Sequence, residues 1–244
     1  LTAMQEDLSS YKGKTSTSSP SPHEWENAFG DADVVFCITI TSTLSGTYNS
    51  AVIAKDIYEQ NHAGRKVYVL DSLSTGPEIA LFIEKIAELI KAGFAPDDIY
   101  KTLLEYKDKT HLYFSLASLN NFAKNGRISP VIAAGIGLLG VRVVGKASDE
   151  GTLLPLDKCR GEKRALKKLI NHLKECGYTD GKIIIAHNNN EAGALELKKL
   201  IENTFGIFNG TIQKTRALCS YYAEPGSLLI GFEASLCNHK PYKD

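Results

Sequence analysis

The sequence predicts an α/β protein of two domains: a parallel-sheet α/β/α unit over residues 1–109, then an α/β unit with a mixed sheet over residues 110–240. Three observations lead there. In the first part, β-rich apolar runs alternate with amphipathic helical stretches, the pattern of βα units. In the second part, segments 141–147 and 152–160 flank Asp149, Glu150 and Gly151, a turn suited to an antiparallel hairpin. Strand-helix units continue beyond that hairpin, so parallel and antiparallel pairings have to share one sheet.

Taken in order, residues 1–22 are polar and rich in Ser and Thr, and the prolines on either side of Ser21 make this stretch a loop. Pro22 opens a short helix through HEWENAFG, and residues 34–40 form a strand apolar enough to be buried on both faces. A turn of Thr41, Ser42, Thr43, Leu44, Ser45 and Gly46 follows. From residue 47 to about 61, Ala51, Val52, Ala54, Ile57 and Tyr58 recur at helical spacing, with Ser45 placed as the N-cap. A second strand at 66–70 ends in DSLSTGPE. The helix opened by Gly76 and Pro77 sets Ile79, Phe82, Ile83, Ile86 and Ile90 on one face and closes at Gly93. Pro96, Asp97 and Asp98 open another, with the acids well placed for its dipole.

The second part reads as strands at 112–117, 141–147, 152–160, 182–187, 211–215 and 227–233. Helices cover GEKRALKKLINHLKECG, with Ala165, Leu166, Leu169, Ile170 and Leu173 inward, and residues 191–205. Segment 125–145 is unusually rich in Gly and Ala, which fits either a tightly packed buried helix or the wall of a tunnel for a long apolar ligand.

Composition narrows the function. Lys plus Arg and Asp plus Glu number 28 each, a balance unlike that of a nucleic-acid binder or a polybasic membrane segment. No apolar run is long enough to span a bilayer as a helix. The cysteines Cys37, Cys159, Cys176, Cys219 and Cys237 form no CxxC pair, which argues against a disulfide framework or a zinc site and for a reduced, cytoplasmic setting. The scattered histidines mark no catalytic or metal constellation.

The chemistry concentrates at the turn 41–46. N–H groups at a helix start, with the helix dipole behind them, favour an anion, and hydroxyls add donors without charge. With no lysine in the loop it is not a Walker A cradle, and it is neither GxGxxG nor GxSxG. Simple capping by Ser45 explains the same residues, so on spacing alone both readings stand.

Taken together, TSSPS at 17–21, TSTLSGTYNSA at 41–51, VLDSLSTG at 69–76, NGRIS at 125–129, EGTLLPLDKCRG at 150–161 and YYAEPGSLLIGF at 221–232 resemble the DegV family, bacterial fatty-acid-binding proteins of two α/β domains. The resemblance implies a long-chain fatty acid held between the domains, its carboxylate at Thr17, Ser45 and Gly46. It implies no catalytic residue, no metal and no cofactor, and a separate ATP-dependent fatty acid kinase as partner. Arg127 and Arg160 match basic positions suited to docking that kinase or a phosphorylated head group. Where many members carry a histidine beside the carboxylate, this chain has Tyr222, which donates one hydrogen bond but no positive charge near neutral pH. The family also opens with a strand for which few residues precede the TSSPS loop here, so that strand is expected to be missing. Two alternatives use the same loop: a serine hydrolase with Ser45 as nucleophile and His187 as base, and a binder of small phosphorylated ligands through Arg127 and Arg160.

Overall fold

A computed structural model describes residues 11, 13, 15–128 and 140–234. The elements run α1 (Pro22–Phe29), β1 (Val34–Thr39), α2 (Thr47–Asn61), β2 (Lys66–Asp71), α3 (Pro77–Lys91), α4 (Pro96–Lys107), β3 (Thr110–Leu116), α5 (Asn120–Lys124), β4 (Val141–Ala147), β5 (Leu153–Arg160), α6 (Glu162–Glu175), β6 (Ile183–His187), α7 (Glu191–Phe205), β7 (Gly210–Lys214), α8 (Ala217–Ala223) and β8 (Leu228–Glu233). Among the described residues they form a two-stranded sheet, β1–β2, and a six-stranded sheet in the order β5-β4-β3-β8-β6-β7. The first is parallel. The second is mixed: β6 and β7 are parallel, while β3, β4, β5 and β8 join by antiparallel ladders. The fold class is the one expected.

Side-chain alternation assigns the faces of the large sheet. Tyr113, Ile183, Ile185, Leu228, Ile230 and Phe232 pack into a core with Leu166, Leu169, Leu173 and Leu197 of α6 and α7. Their neighbours along the strands, Leu112, Phe114, Leu116, Ala186 and Leu229, belong to a separate cluster. Helix α3 covers part of that second face. It comes so close that a Cβ on Gly231 would lie 2.5 Å from the Glu78 nitrogen, so only glycine fits there. Leu70 of β2, Leu81 and Phe82 of α3, and Ile184 of β6 share one cluster, which makes α3 the common wall of both sheets. Beyond its edge, the face carrying Leu112, Phe114 and Leu116 meets open space.

Several expectations need correcting. Ile83 and Ile90 are 56% and 55% exposed, whereas Leu81 is buried, because α3 turns Pro77, Glu78, Leu81 and Phe82 toward the large sheet. Ser45 is not the N-cap of α2: Gly46 holds that position, and the Ser45 Oγ accepts from the Thr47 N–H at 3.3 Å and pairs with Thr47 Oγ1 at 2.7 Å. Helices α5 and α8 were not anticipated. Among the described residues Cys37, Cys159 and Cys219 are free thiols, while Cys176 is disulfide-bonded, an exception to the expected reduced cysteines. The choice between buried helix and tunnel wall falls largely on residues 129–139, outside the described residues. No helix among the described residues is long and apolar enough to cross a membrane.

Candidate functional site

A cavity of about 680 Å³ lies where the large sheet runs on past α3. That is within the roughly 300–1,000 Å³ usual for small-molecule sites. Its floor is apolar: Leu112, Phe114 and Leu116 of β3 with Leu229 of β8. Its opposite wall carries hydroxyls from three loops, namely 17–19, 41–47 after β1, and 72–75 after β2. Both sheet-end loops leave the carboxyl ends of parallel strands, the edge at which such sheets collect ligands.

The hydroxyl wall is built by local rules. The Asp71 carboxylate, at the end of β2, accepts the N–H groups of Ser42 and Leu73 at 3.1 Å each and so folds both loops over itself. The Thr41 N–H donates to the Ser74 carbonyl at 2.9 Å, joining one loop to the other. Leu73 takes a positive φ of 50°, an uncommon conformation for a branched residue, and lines the cavity.

Thr17, Ser45, Gly46, Arg127 and Tyr222 all line this one cavity. Thr17 Oγ1 and the Tyr222 hydroxyl pair at 2.8 Å, and one residue away the Tyr221 hydroxyl pairs with Thr15 Oγ1 at 2.8 Å. Short helix α8 thereby fixes the N-terminal loop through two phenols, and the Tyr222 ring lies 4.9 Å from that of Phe122. Arg127 is half-buried. Its Nε donates to the Leu44 carbonyl at 3.0 Å and its Nη1 to the Asn125 carbonyl at 2.6 Å, tying it into the Ser45 loop. Arg160 ends β5 on the exposed outer strand and is not part of the lining.

Among the described residues lining the cavity, Arg127 is the one charged side chain, and none is His, Asp or Glu. A nucleophilic Ser45 would need a base within hydrogen-bond reach. His187 sits buried in β6 away from the lining, its Nδ1 accepting from the Asn190 N–H at 3.3 Å, and burial lowers its pKa. The Cys219 thiol does reach the cavity, and burial holds it above the ordinary thiol pKa, the opposite of activation. No group of three or more His, Cys, Asp or Glu among the described residues could hold a metal ion.

Two features were not recognised from sequence. The floor residues were read as strand, though LYFSLA, apolar on both faces, carried the signal of a strand serving two packing surfaces. Glu78, buried beside the cavity wall, was read only as part of a helix start. Burial pushes its carboxyl up to about 7, against the opposing hydroxyls of Ser74 and Thr110 and the charge of Lys107.

The chain is similar in sequence and in fold to several known proteins. A DegV domain-containing protein of Streptococcus pneumoniae is 41% identical over 230 residues, 94% of this chain and 82% of that one. The structure of a DegV family protein from Eubacterium eligens loaded with heptadecanoic acid is 40% identical with a TM-score of 0.93, covering 96% of this chain and 85% of that one. The Fatty Acid Kinase (Fak) B3 protein of Streptococcus pneumoniae, loaded with linoleic acid, is also 40% identical, with a TM-score of 0.94 over 96% of this chain and 83% of that one. The DegV family, described as a family of uncharacterised proteins, matches residues 2–235 of this chain. With a family match of that extent and relatives at this identity, the chain belongs to the DegV family.

Proposed function

We propose that this protein binds a long-chain fatty acid in the cavity beside α3 and presents its carboxylate to a separate ATP-dependent kinase. One observation carries the reading: an apolar floor faces a wall of hydroxyls, with no carboxylate among the described lining residues to repel an anion. The head group rests on Thr17, Ser45 and Tyr222, with Gly46 leaving the backbone accessible. Hydroxyls and helix N–H groups offset the cost of burying a carboxylate without a formal counter-charge beside every oxygen. The tail lies along Leu112, Phe114, Leu116 and Leu229, and each buried CH₂ contributes about 0.8 kcal/mol.

In this reading residues 1–109 and 110–240 act as two domains meeting at the cavity. Arg127 serves the head-group loop, and Arg160, exposed on the outer strand, is left for contact with the kinase. The two relatives loaded with fatty acids, one of them a fatty acid kinase B protein, support the ligand class and the kind of partner. We place the protein in the cytoplasm, where a kinase finds its ATP; with Cys176 disulfide-bonded, the cysteines give that placement no help.

The test is native mass spectrometry of delipidated protein with palmitate or oleate. A one-to-one adduct, weakened in Ser45→Ala, is expected. Failure of the wild-type protein to form any adduct, together with organic extracts free of fatty acid, overturns the reading.

A further inference from the structure

The loop that carries Ser45 is tied to the end of β2 through the Thr41 and Ser42 N–H groups and also, through side chains, to the β4–β5 hairpin. Thr41 Oγ1 donates to the Gly151 carbonyl at 2.8 Å, and Thr43 Oγ1 to the Glu150 carbonyl at 2.5 Å. With Arg127 Nε on the Leu44 carbonyl, three of the four residues before Ser45 are bonded to segments more than eighty positions away.

The hairpin turn is closed by hydrogen bonds of its own. The Ser148 N–H donates to the Thr152 carbonyl and the Gly151 N–H to the Ser148 carbonyl, both at 2.9 Å, and the Ser148 and Thr152 hydroxyls pair at 2.8 Å. The contact is also as close as a backbone permits. Gly151 has φ +77°, and a Cβ there would collide with Thr41 Oγ1 and lie 3.0 Å from the Leu73 carbonyl.

We propose that Thr43, together with Thr41, is a positioning residue: it sets the Ser45 loop against the hairpin so that the loop's donors meet a carboxylate already in place. Thr43 itself is exposed and not part of the lining, so it acts through the loop rather than by touching ligand. Donors that need no reorganisation on binding are worth more to a charged head group than donors that must be ordered at that moment. The hydrocarbon tail gains nothing from this. Thr43 therefore governs the preference for an acid over an uncharged lipid of equal length. The inference rests on the fatty-acid reading and adds to it the residues that confer head-group selectivity.

The experiment compares hexadecanoic acid with hexadecanol by competition against a fluorescent fatty acid, using wild-type protein, Thr43→Val, Thr43→Ser and the Thr41→Val/Thr43→Val pair, each checked for folding by thermal unfolding. Thr43→Val should lower the acid-over-alcohol preference about five-fold, the weight of one net hydrogen bond. The pair should lower it further, Thr43→Ser should restore it, and alcohol affinity should stay unchanged in Thr43→Val. Equal weakening of acid and alcohol would reduce Thr43 to general support of the fold, and an unaltered preference would remove its role altogether; either outcome overturns the inference while leaving fatty-acid binding intact. Wild-type protein that binds neither compound removes the ligand reading and this inference with it.

Discussion

Replacing Glu78 by glutamine should change how the stability of the fold depends on pH. Glu78 stands in the first turn of α3, 4% exposed, and its Oε1 accepts from Thr110 Oγ1 at 2.8 Å. Desolvation is the largest influence on it and raises its pKa from the ordinary 4.5 to about 7. The unfolded chain releases this proton near 4.5, whereas the folded chain keeps it until about 7. Between those values the folded state binds more protons, so stability falls as pH rises; below 4.5 the group has no effect, and above about 7 the loss is complete. The gap corresponds to about 3 kcal/mol, at roughly 1.4 kcal/mol per pH unit. Buried His187 acts in the opposite sense, since its depressed pKa makes stability rise with pH through the ordinary histidine range, but it is common to both proteins and cancels in their difference. Urea unfolding of wild-type protein and Glu78→Gln at intervals from about pH 4 to pH 8 should show the variant gaining on the wild type by about 3 kcal/mol across the series. A difference that stays constant with pH would show that Glu78 ionises normally in the fold and would refute the reasoning.

Three further perturbations address the site. Tyr222→Phe removes the partner of Thr17 Oγ1 and should weaken fatty-acid binding about five-fold; Thr17→Val should do the same, and titration calorimetry should find the double variant weaker than either single one but by less than the sum of their losses. Leu229→Trp puts an indole into the cavity floor and should abolish the palmitate adduct in native mass spectrometry while the far-ultraviolet circular dichroism stays that of the wild type. Gly151→Ala combines a positive φ with a collision against Thr41 and should cost about 2 kcal/mol or more, seen as a lowered thermal midpoint; an unchanged midpoint would show that the seam yields easily.

Where one local signal was sufficient, the sequence could be read directly. The segment 141–147 and the helix 191–205 are found as expected, and Ala165, Leu166, Leu169, Ile170 and Leu173 are all buried on α6, because a single stripe at helical spacing met a single surface. For α3 the same reasoning held only in part: Phe82 is buried and Ile86 packs against the same core, but Ile83 and Ile90 are exposed. Its isoleucines were the most apolar side chains available, but the helix is placed by Gly231 and the large sheet, which draw in Pro77, Glu78, Leu81 and Phe82 and leave Ile83 and Ile90 outside. Ser45 was legible through the helix start and the motif together and Thr17 through the motif alone, whereas Arg160 stands at the far end of a motif whose Gly151, Thr152 and Leu153 line the cavity and is itself outside the lining. The ties from Thr41 and Thr43 to the hairpin span more than a hundred residues, and no periodicity or capping rule reaches that far.

Strand β3 shows what this construction entails. Tyr113 belongs to the inner core, while Leu112, Phe114 and Leu116 face the cavity, so one backbone is shared by the folded interior and the space for cargo. On the proposed function, loading is coupled to folding: an apolar ligand settling there completes the packing of the central strand, and mass action ties melting temperature to its concentration. Along a homologous series of acids, thermal shift would serve as a ruler for the channel, climbing with each added carbon until the chain outgrows the space beside Phe114.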